Sequence, residues 1–157
     1  MNNPTPTALS LSPANTLVSS GDFLLTVTGT AYSSRAAEIA LALAHASRST
    51  LTALYVDSHA PMARWRQNLA GALQPRRQGE SVLKEVVDLA AHFETKVRTR
   101  VKYTVDAAQA ILNELNSAPY DLLVMGVTSR SGETLFFGTV ASSVLQKSPE
   151  SVLLLAT

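Results

Sequence analysis

Apolar and polar residues follow one another in blocks along residues 22–157, and the repeat within the blocks changes from that of a strand to that of a helix. Short apolar or strictly alternating runs predict five strands, at residues 23–27, 51–56, 96–103, 122–125 and 152–155. Apolar positions at helical spacing predict four helices between them, at residues 33–47, 80–93, 107–116 and 139–146. Ser33 or Ser34 is the expected N-cap of the first helix, and Asp106 that of the third.

This alternation of strands and helices indicates an α/β fold. Alternating strands and helices form a mostly parallel sheet with helices on both faces, so we expect a three-layer αβα domain with five strands. The connections between the parallel strands should be right-handed crossovers. Interior strands of a parallel sheet are apolar on both faces, as residues 122–125 are. The strand at 96–103 instead carries a Lys or Arg at every second position, and we expect it at an edge of the sheet.

The last predicted strand, residues 152–155, carries no charged residue. If it forms the other edge of the sheet, its unpaired backbone groups are open to pairing with another chain. The hypothesis that follows is a homodimer formed through this strand.

The composition supports one folded core and bounds the function. Of the 157 residues, 46% are hydrophobic and 16% are charged, which suits a single domain. The formal net charge of +1 does not favour nucleic acid as a partner. The chain has no cysteine, which excludes disulfides and thiolate chemistry and suits a reducing, cytoplasmic compartment. No apolar run approaches the ~20 residues that cross a bilayer.

Two segments fall outside the regular pattern. Residues 1–21 are rich in Pro, Ser and Thr, and we expect a flexible leader or linker there, followed by a domain over residues 22–157. Residues 58–79 lack a strong period and hold Trp65 among several arginines, which predicts a long irregular loop. This loop is either a contact surface for acidic lipid headgroups or a partner protein, or a solvated flap whose Trp65 packs back on the domain.

Glycine and hydroxyl residues gather where predicted strands end. In doubly wound sheets, ligands bind beyond the carboxyl ends of the strands, where the winding direction reverses. Residues 28–30 follow the first strand, residues 56–57 end the second, and a glycine-rich loop over residues 126–138 follows the fourth. Gly138 and Thr139 begin the next helix, where free N–H groups attract an anion. The glycines either contact a ligand or only let the loop turn.

With these features, the chain resembles the universal stress protein domain over roughly residues 22–157. The likeness lies in the element order, in residues 27–30, in residues 120–126 and in the Gly138–Thr139 pair. It implies a Rossmann-like, adenine nucleotide alpha hydrolase-like fold with strand order 3-2-1-4-5. It also implies an adenine nucleotide (ATP, ADP, AMP or a cyclic dinucleotide) as ligand, with contacts at Thr28, Gly29, Thr30, Val56, Gly126, Ser129, Arg130, Gly138, Thr139 and Val140.

The chain departs from that family's phosphate motif, which is a glycine, two residues, a glycine, nine residues, a glycine and then Ser or Thr. Gly126 matches the first glycine of the motif, but Ser129 occupies the position of the second. Eight residues, instead of nine, separate Ser129 from Gly138, which matches the last glycine. Thr28 replaces the family's usual Asp at the end of the first strand. Glu133 lies in the loop and repels phosphate, which favours a monophosphate over a triphosphate.

Residues 126–141 are most similar to the universal stress protein domains at the cytoplasmic C-terminus of sodium/proton antiporters, through the run from Gly132 to Gly138. This resemblance implies that the leader is a linker from a membrane part. The domain is then tethered to the inner face of the plasma membrane and regulates the antiporter.

The sequence shows no catalytic set. His45, His59 and His92 are scattered, and no Walker loop or serine nucleophile elbow is present. We therefore expect a protein that is not an enzyme, with slow hydrolysis of a bound nucleotide left open. Two hypotheses remain: a sensor of an adenine nucleotide, and a nucleotide-free module for dimerisation or docking.

Overall fold

The computed structural model describes residues 21–58, 69–128 and 137–156, with the backbone alone described at residues 69–76. Nine helices and strands alternate along these residues: β1 (Asp22–Val27), α1 (Ala31–Ser47), β2 (Thr50–Asp57), α2 (Leu69–His92), β3 (Val97–Tyr103), α3 (Ala107–Leu115), β4 (Tyr120–Val127), α4 (Thr139–Lys147) and β5 (Ser151–Ala156). The expected leader, apart from Gly21, and Trp65 lie outside the described residues.

The five strands form one sheet in the order β3-β2-β1-β4-β5, and every neighbouring pair is parallel. This arrangement confirms the expected three-layer αβα fold and places the basic strand β3 at one edge. The uncharged strand β5 forms the other edge. β1 lies in the centre, where Leu24 and Leu25 are fully buried on opposite faces of the sheet.

The period of two along each strand sends alternate side chains into two separate cores. Leu25 and Val27 of β1 join the core beneath α1 and α2, whereas Leu24 joins the core beneath α3 and α4. On α2, the face expected from the sequence packs on the first core, through Val82, Val86, Leu89 and Ala90, with Phe93 just beyond the helix. None of the helices in the described part of the chain combines the length and the hydropathy of a membrane span.

The first helix begins earlier than the sequence predicts. Thr30, rather than Ser33 or Ser34, is the N-cap of α1, and its hydroxyl accepts a hydrogen bond from the Ser33 N–H at 3.4 Å. Ser33 is instead buried inside the first turn, where its hydroxyl accepts from the Thr28 N–H at 3.0 Å. The expected cap of α3 is confirmed, because Asp106 Oδ1 accepts from the Gln109 N–H at 2.9 Å.

The prediction of an irregular stretch over residues 58–79 is wrong in its second half, since α2 already begins at Leu69. Local propensity disfavours glycine in a helix, yet Gly79 lies inside α2. The reason is a tertiary contact: a Cβ at Gly79 would be 2.8 Å from Cδ1 of the Tyr55 ring. Only glycine lets the helix pass so close to β2.

The expected strand boundaries shift by one or two residues, and the largest change is in β4. This strand runs over Tyr120–Val127, two residues beyond the predicted run at each end. Gly126 therefore belongs to the strand and not to the loop that follows it. The helices α3 and α4 each differ from the prediction by one residue at their C-terminal ends.

Candidate functional site

A cavity of about 790 Å³ opens at the carboxyl ends of the central strands. The chain leaves β1 toward β2 on one side of the sheet, whereas β4 lies on the other side of β1. The winding direction thus reverses between β1 and β4, which is the position where doubly wound sheets bind ligands. The walls of the cavity come from the ends of β1, β2 and β4, the first turns of α3, the start of α4, and Gln78 of α2.

The cavity brings together most of the residues that the sequence singled out. Seven of the ten line its wall: Thr28, Thr30, Val56, Gly126, Gly138, Thr139 and Val140. Gly29 is not a lining residue, but its φ of +76° makes the turn that carries Thr28 and Thr30 to the cavity. Ser129 and Arg130 lie outside the described residues, as do Glu133 and Phe136.

The turn between β1 and α1 presents hydroxyl groups. The Thr28 and Thr30 hydroxyl oxygens are 3.0 Å apart and share a hydrogen bond. Val82 of α2 packs on the turn, where a Cβ at Gly29 would be 2.7 Å from Val82 Cγ2. Val82 therefore packs against this turn, and the side chains of Thr28 and Thr30 that line the cavity are uncharged.

The two glycines that flank the loop after β4 have different roles. A Cβ at Gly126 would be 2.3 Å from the carbonyl oxygen of Tyr32, so packing against the start of α1 requires glycine there. Gly138 has no atom within 4 Å of its Cβ position, and its φ is +91°. It is the N-cap of α4 and makes no side-chain capping bond. The first backbone N–H groups of α4 therefore lie at the cavity wall, beside open space at Gly138.

The cavity wall also contains polar residues other than the ten contact residues expected from the sequence. Asp57, at the end of β2, is 5% exposed and is the one charged side chain among the described lining residues. Its strand position was recognised in the sequence, but its burial depends on the packing around it. Gln78 was missed because it lies in the part of α2 where the sequence predicted an irregular loop.

Tyr55 and Asp57 are both buried at the end of β2. Burial raises the pKa of the Tyr55 hydroxyl above its usual value of 10.0, and the negative charge of Asp57 raises it further, with a smaller effect of Tyr103. Tyr55 is also a lining residue. A charged or hydroxyl ligand group placed here would interact with Asp57 more strongly than in water.

Apolar side chains complete the cavity. Leu54, Ile111 and Met125 belong to the second core and also line the wall. Phe137 packs against the same core and also lines the wall. Apolar walls with a few polar groups at fixed places are typical of small-molecule sites.

The described residues contain no group of three or more His, Asp or Glu side chains that would hold a metal ion. Asp57 is the one carboxylate among the described lining residues, and no His is found there. A single carboxylate without an acid partner does not provide a general acid–base mechanism.

The sequence profile of the universal stress protein family matches residues 22–156 of the chain. No curated protein sequence matches the chain significantly.

Several solved structures have the same architecture at low sequence identity. A universal stress protein from Burkholderia pseudomallei has 20% identity and a TM-score of 0.66, covering 87% of this chain and 96% of that one. The universal stress protein from Archaeoglobus fulgidus in complex with dAMP has 12% identity and a TM-score of 0.65, covering 85% and 96%. A universal stress family protein from Arabidopsis thaliana with AMP bound has 18% identity and a TM-score of 0.61, covering 87% and 90%.

Proposed function

The chain belongs to the universal stress protein family, and from this membership and the cavity we propose that it is a regulatory domain that binds an adenine nucleotide. The observation that carries the proposal is the cavity of about 790 Å³ at the reversal point of the sheet. Two structures of the same fold, described above, contain dAMP and AMP. These proteins support adenine as the base.

The walls of the cavity suit the parts of a nucleotide. The phosphate group lies at the start of α4, where the N–H groups that follow Gly138 and the Thr139 hydroxyl donate hydrogen bonds to an anion. The base lies among the apolar side chains of Val56, Ile111 and Met125. Val140, in the first turn of α4, closes the cavity beside the phosphate.

We further propose that the site prefers a monophosphate. The described lining residues include no Lys or Arg, and Asp57 is negatively charged when ionised. Each added phosphate therefore brings negative charge without a compensating cation from this part of the wall. Glu133, in the segment between β4 and α4, adds a further negative charge in the sequence unless Arg130 offsets it.

The resemblance of residues 132–138 to antiporter-linked domains supports a proposal about cellular context. In this proposal the domain is cytoplasmic, is tethered through residues 1–21 to the membrane part of a cation/proton antiporter, and reports nucleotide levels to it. In this proposal the domain acts by binding the nucleotide.

A nucleotide-free docking module is the second candidate function, and β5 favours it. Val152, Leu153, Leu154 and Leu155 are half-buried on an edge strand that pairs with β4 alone. Such an edge offers backbone groups and apolar side chains to another copy of the chain. In this second candidate, we propose that the chain forms a homodimer through β5 without a nucleotide.

Isothermal titration calorimetry of the full chain with AMP, ADP, ATP and cyclic di-AMP tests the proposal. We expect saturable binding, strongest for AMP. Gly138→Asp should abolish it by placing a carboxylate at the start of α4, whereas the matched control Gly138→Ala introduces the same backbone strain at φ +91° without the charge. Folded protein that binds none of the four nucleotides would refute the nucleotide proposal and leave the docking module.

A further inference from the structure

A carboxylate and a helix N-terminus both line the cavity. Asp57 ends β2, whereas Gly138 precedes α4 in the connection that follows β4. Since β1 lies between β2 and β4, the ends of these two strands are roughly 10 Å apart. The described part of the cavity is therefore polarised, negative beside β2 and positive beside α4. It suits a ligand with an anion at one end and hydrogen-bond donors at the other.

Asp57 is well placed to accept hydrogen bonds from a ligand. It is 5% exposed, yet it lines the cavity. A buried carboxylate is costly unless donors surround it, and its two oxygens provide about four acceptor positions. One carboxylate can thus accept from a protein group and from a ligand at once. Tyr55, two residues earlier on the same strand, is also buried, and burial followed by the Asp57 charge raises the pKa of its hydroxyl.

We propose that Asp57 selects a ribose, because its carboxylate accepts hydrogen bonds from the vicinal 2′ and 3′ hydroxyls of the ligand. The inference rests on the proposed function and adds the sugar to it. In dinucleotide-binding folds, an acidic residue some 20 residues beyond the first strand–helix turn has this role. Asp57 holds the equivalent place here, at the end of the strand that follows α1.

This placement orients the nucleotide across the sheet. In this orientation the sugar hydroxyls face the end of β2. The phosphate faces the start of α4, which follows β4 in the chain. A site built to bond a hydroxyl rejects an analogue that lacks it, because its own buried group is then left without that donor. We expect the chain to bind AMP about tenfold more tightly than 2′-deoxy-AMP.

Calorimetric titrations of the full chain with AMP and 2′-deoxy-AMP test this selection. In Asp57→Asn, which keeps the side-chain shape but removes the charge and one acceptor oxygen, the affinity ratio should fall below about three, through weaker AMP binding. The control Asp121→Asn changes an exposed carboxylate at the opposite end of the sheet and should keep the ratio of the unmodified chain. Circular dichroism verifies folding, and Asp57→Ser replaces Asp57→Asn if the latter does not fold.

The possible outcomes separate the two proposals. Equal affinities of the unmodified chain for AMP and 2′-deoxy-AMP would overturn the role of Asp57 and leave nucleotide binding intact. An unchanged ratio in a folded Asp57 variant would overturn it as well. If the unmodified chain binds neither nucleotide, the proposed function itself fails, and the ribose selection fails with it.

Discussion

Glu114 on α3 is fully buried, and its carboxylate has three partners from elsewhere in the fold. Arg100 Nε lies 3.1 Å from Oε1, and Lys102 Nζ lies 3.4 Å from Oε2. The Tyr120 hydroxyl donates to Oε1 at 3.1 Å. The two basic side chains come from the edge strand β3 and are 47% and 45% exposed. Glu114→Gln keeps the shape of this group and removes its charge.

The expected loss of stability follows from the geometry. The amide oxygen of glutamine still accepts from Tyr120 and Arg100, but its NH2 group then faces the Lys102 ammonium. A buried donor that faces another donor costs about 1–3 kcal/mol. The lost attraction adds about 0–1 kcal/mol, because solvent screens the half-exposed cations. We expect a loss of about 1–4 kcal/mol in the free energy of unfolding, which lowers the Tm by about 3–4 °C for each kcal/mol in a domain of this size.

Urea unfolding followed by circular dichroism measures this loss. Glu85→Gln, at an exposed position on α2, is the matched control and should change stability by less than about 0.5 kcal/mol. In Glu114→Gln/Lys102→Gln the new side-chain oxygen can accept from the amide, so the double variant should lose less than the sum of the two single variants. Equal stability of Glu114→Gln and Glu85→Gln would refute the reasoning, because the buried carboxylate would then make no net contribution.

Three further predictions concern other parts of the fold. Gly126→Ala should destabilise the domain by about 1–3 kcal/mol in urea unfolding, because the new Cβ would meet the Tyr32 carbonyl oxygen at 2.3 Å; an unchanged midpoint would contradict this packing. Burial raises the pKa values of Tyr55 and Tyr120 above 10.0, so the folded state holds these protons more tightly than the unfolded state. Stability should therefore fall as pH rises above about 10, and Tyr120→Phe should reduce this pH dependence. Ala156→Lys, at the exposed end of β5, should shift the chain toward monomer in sedimentation equilibrium, whereas a dimer of unchanged strength would argue against pairing through β5.

The sequence by itself determined the order and type of the elements. Hydrophobic period is a local property, and it identified all five strands, the edge position of β3 and the apolar face of α2, because burial on one face of an element imposes that period. Most of the residues it placed at the carboxyl ends of the strands do line one cavity. Because parallel strands run in the same direction, the residues that follow their carboxyl ends lie at the same end of the sheet.

Only the tertiary structure decided which side chains meet across long separations. α3 packs on β2 and buries Glu114, and Arg100 and Lys102 of the neighbouring strand β3 reach its carboxylate. The sequence pattern alone leaves these two basic side chains facing solvent. Gln78 reaches the cavity because α2 starts at Leu69 and passes close to Tyr55 at Gly79. The packing around the end of β2 buries Asp57 in the described part of the cavity wall, where it is the charged side chain. These contacts depend on sheet order and helix placement, which no local period along the chain encodes.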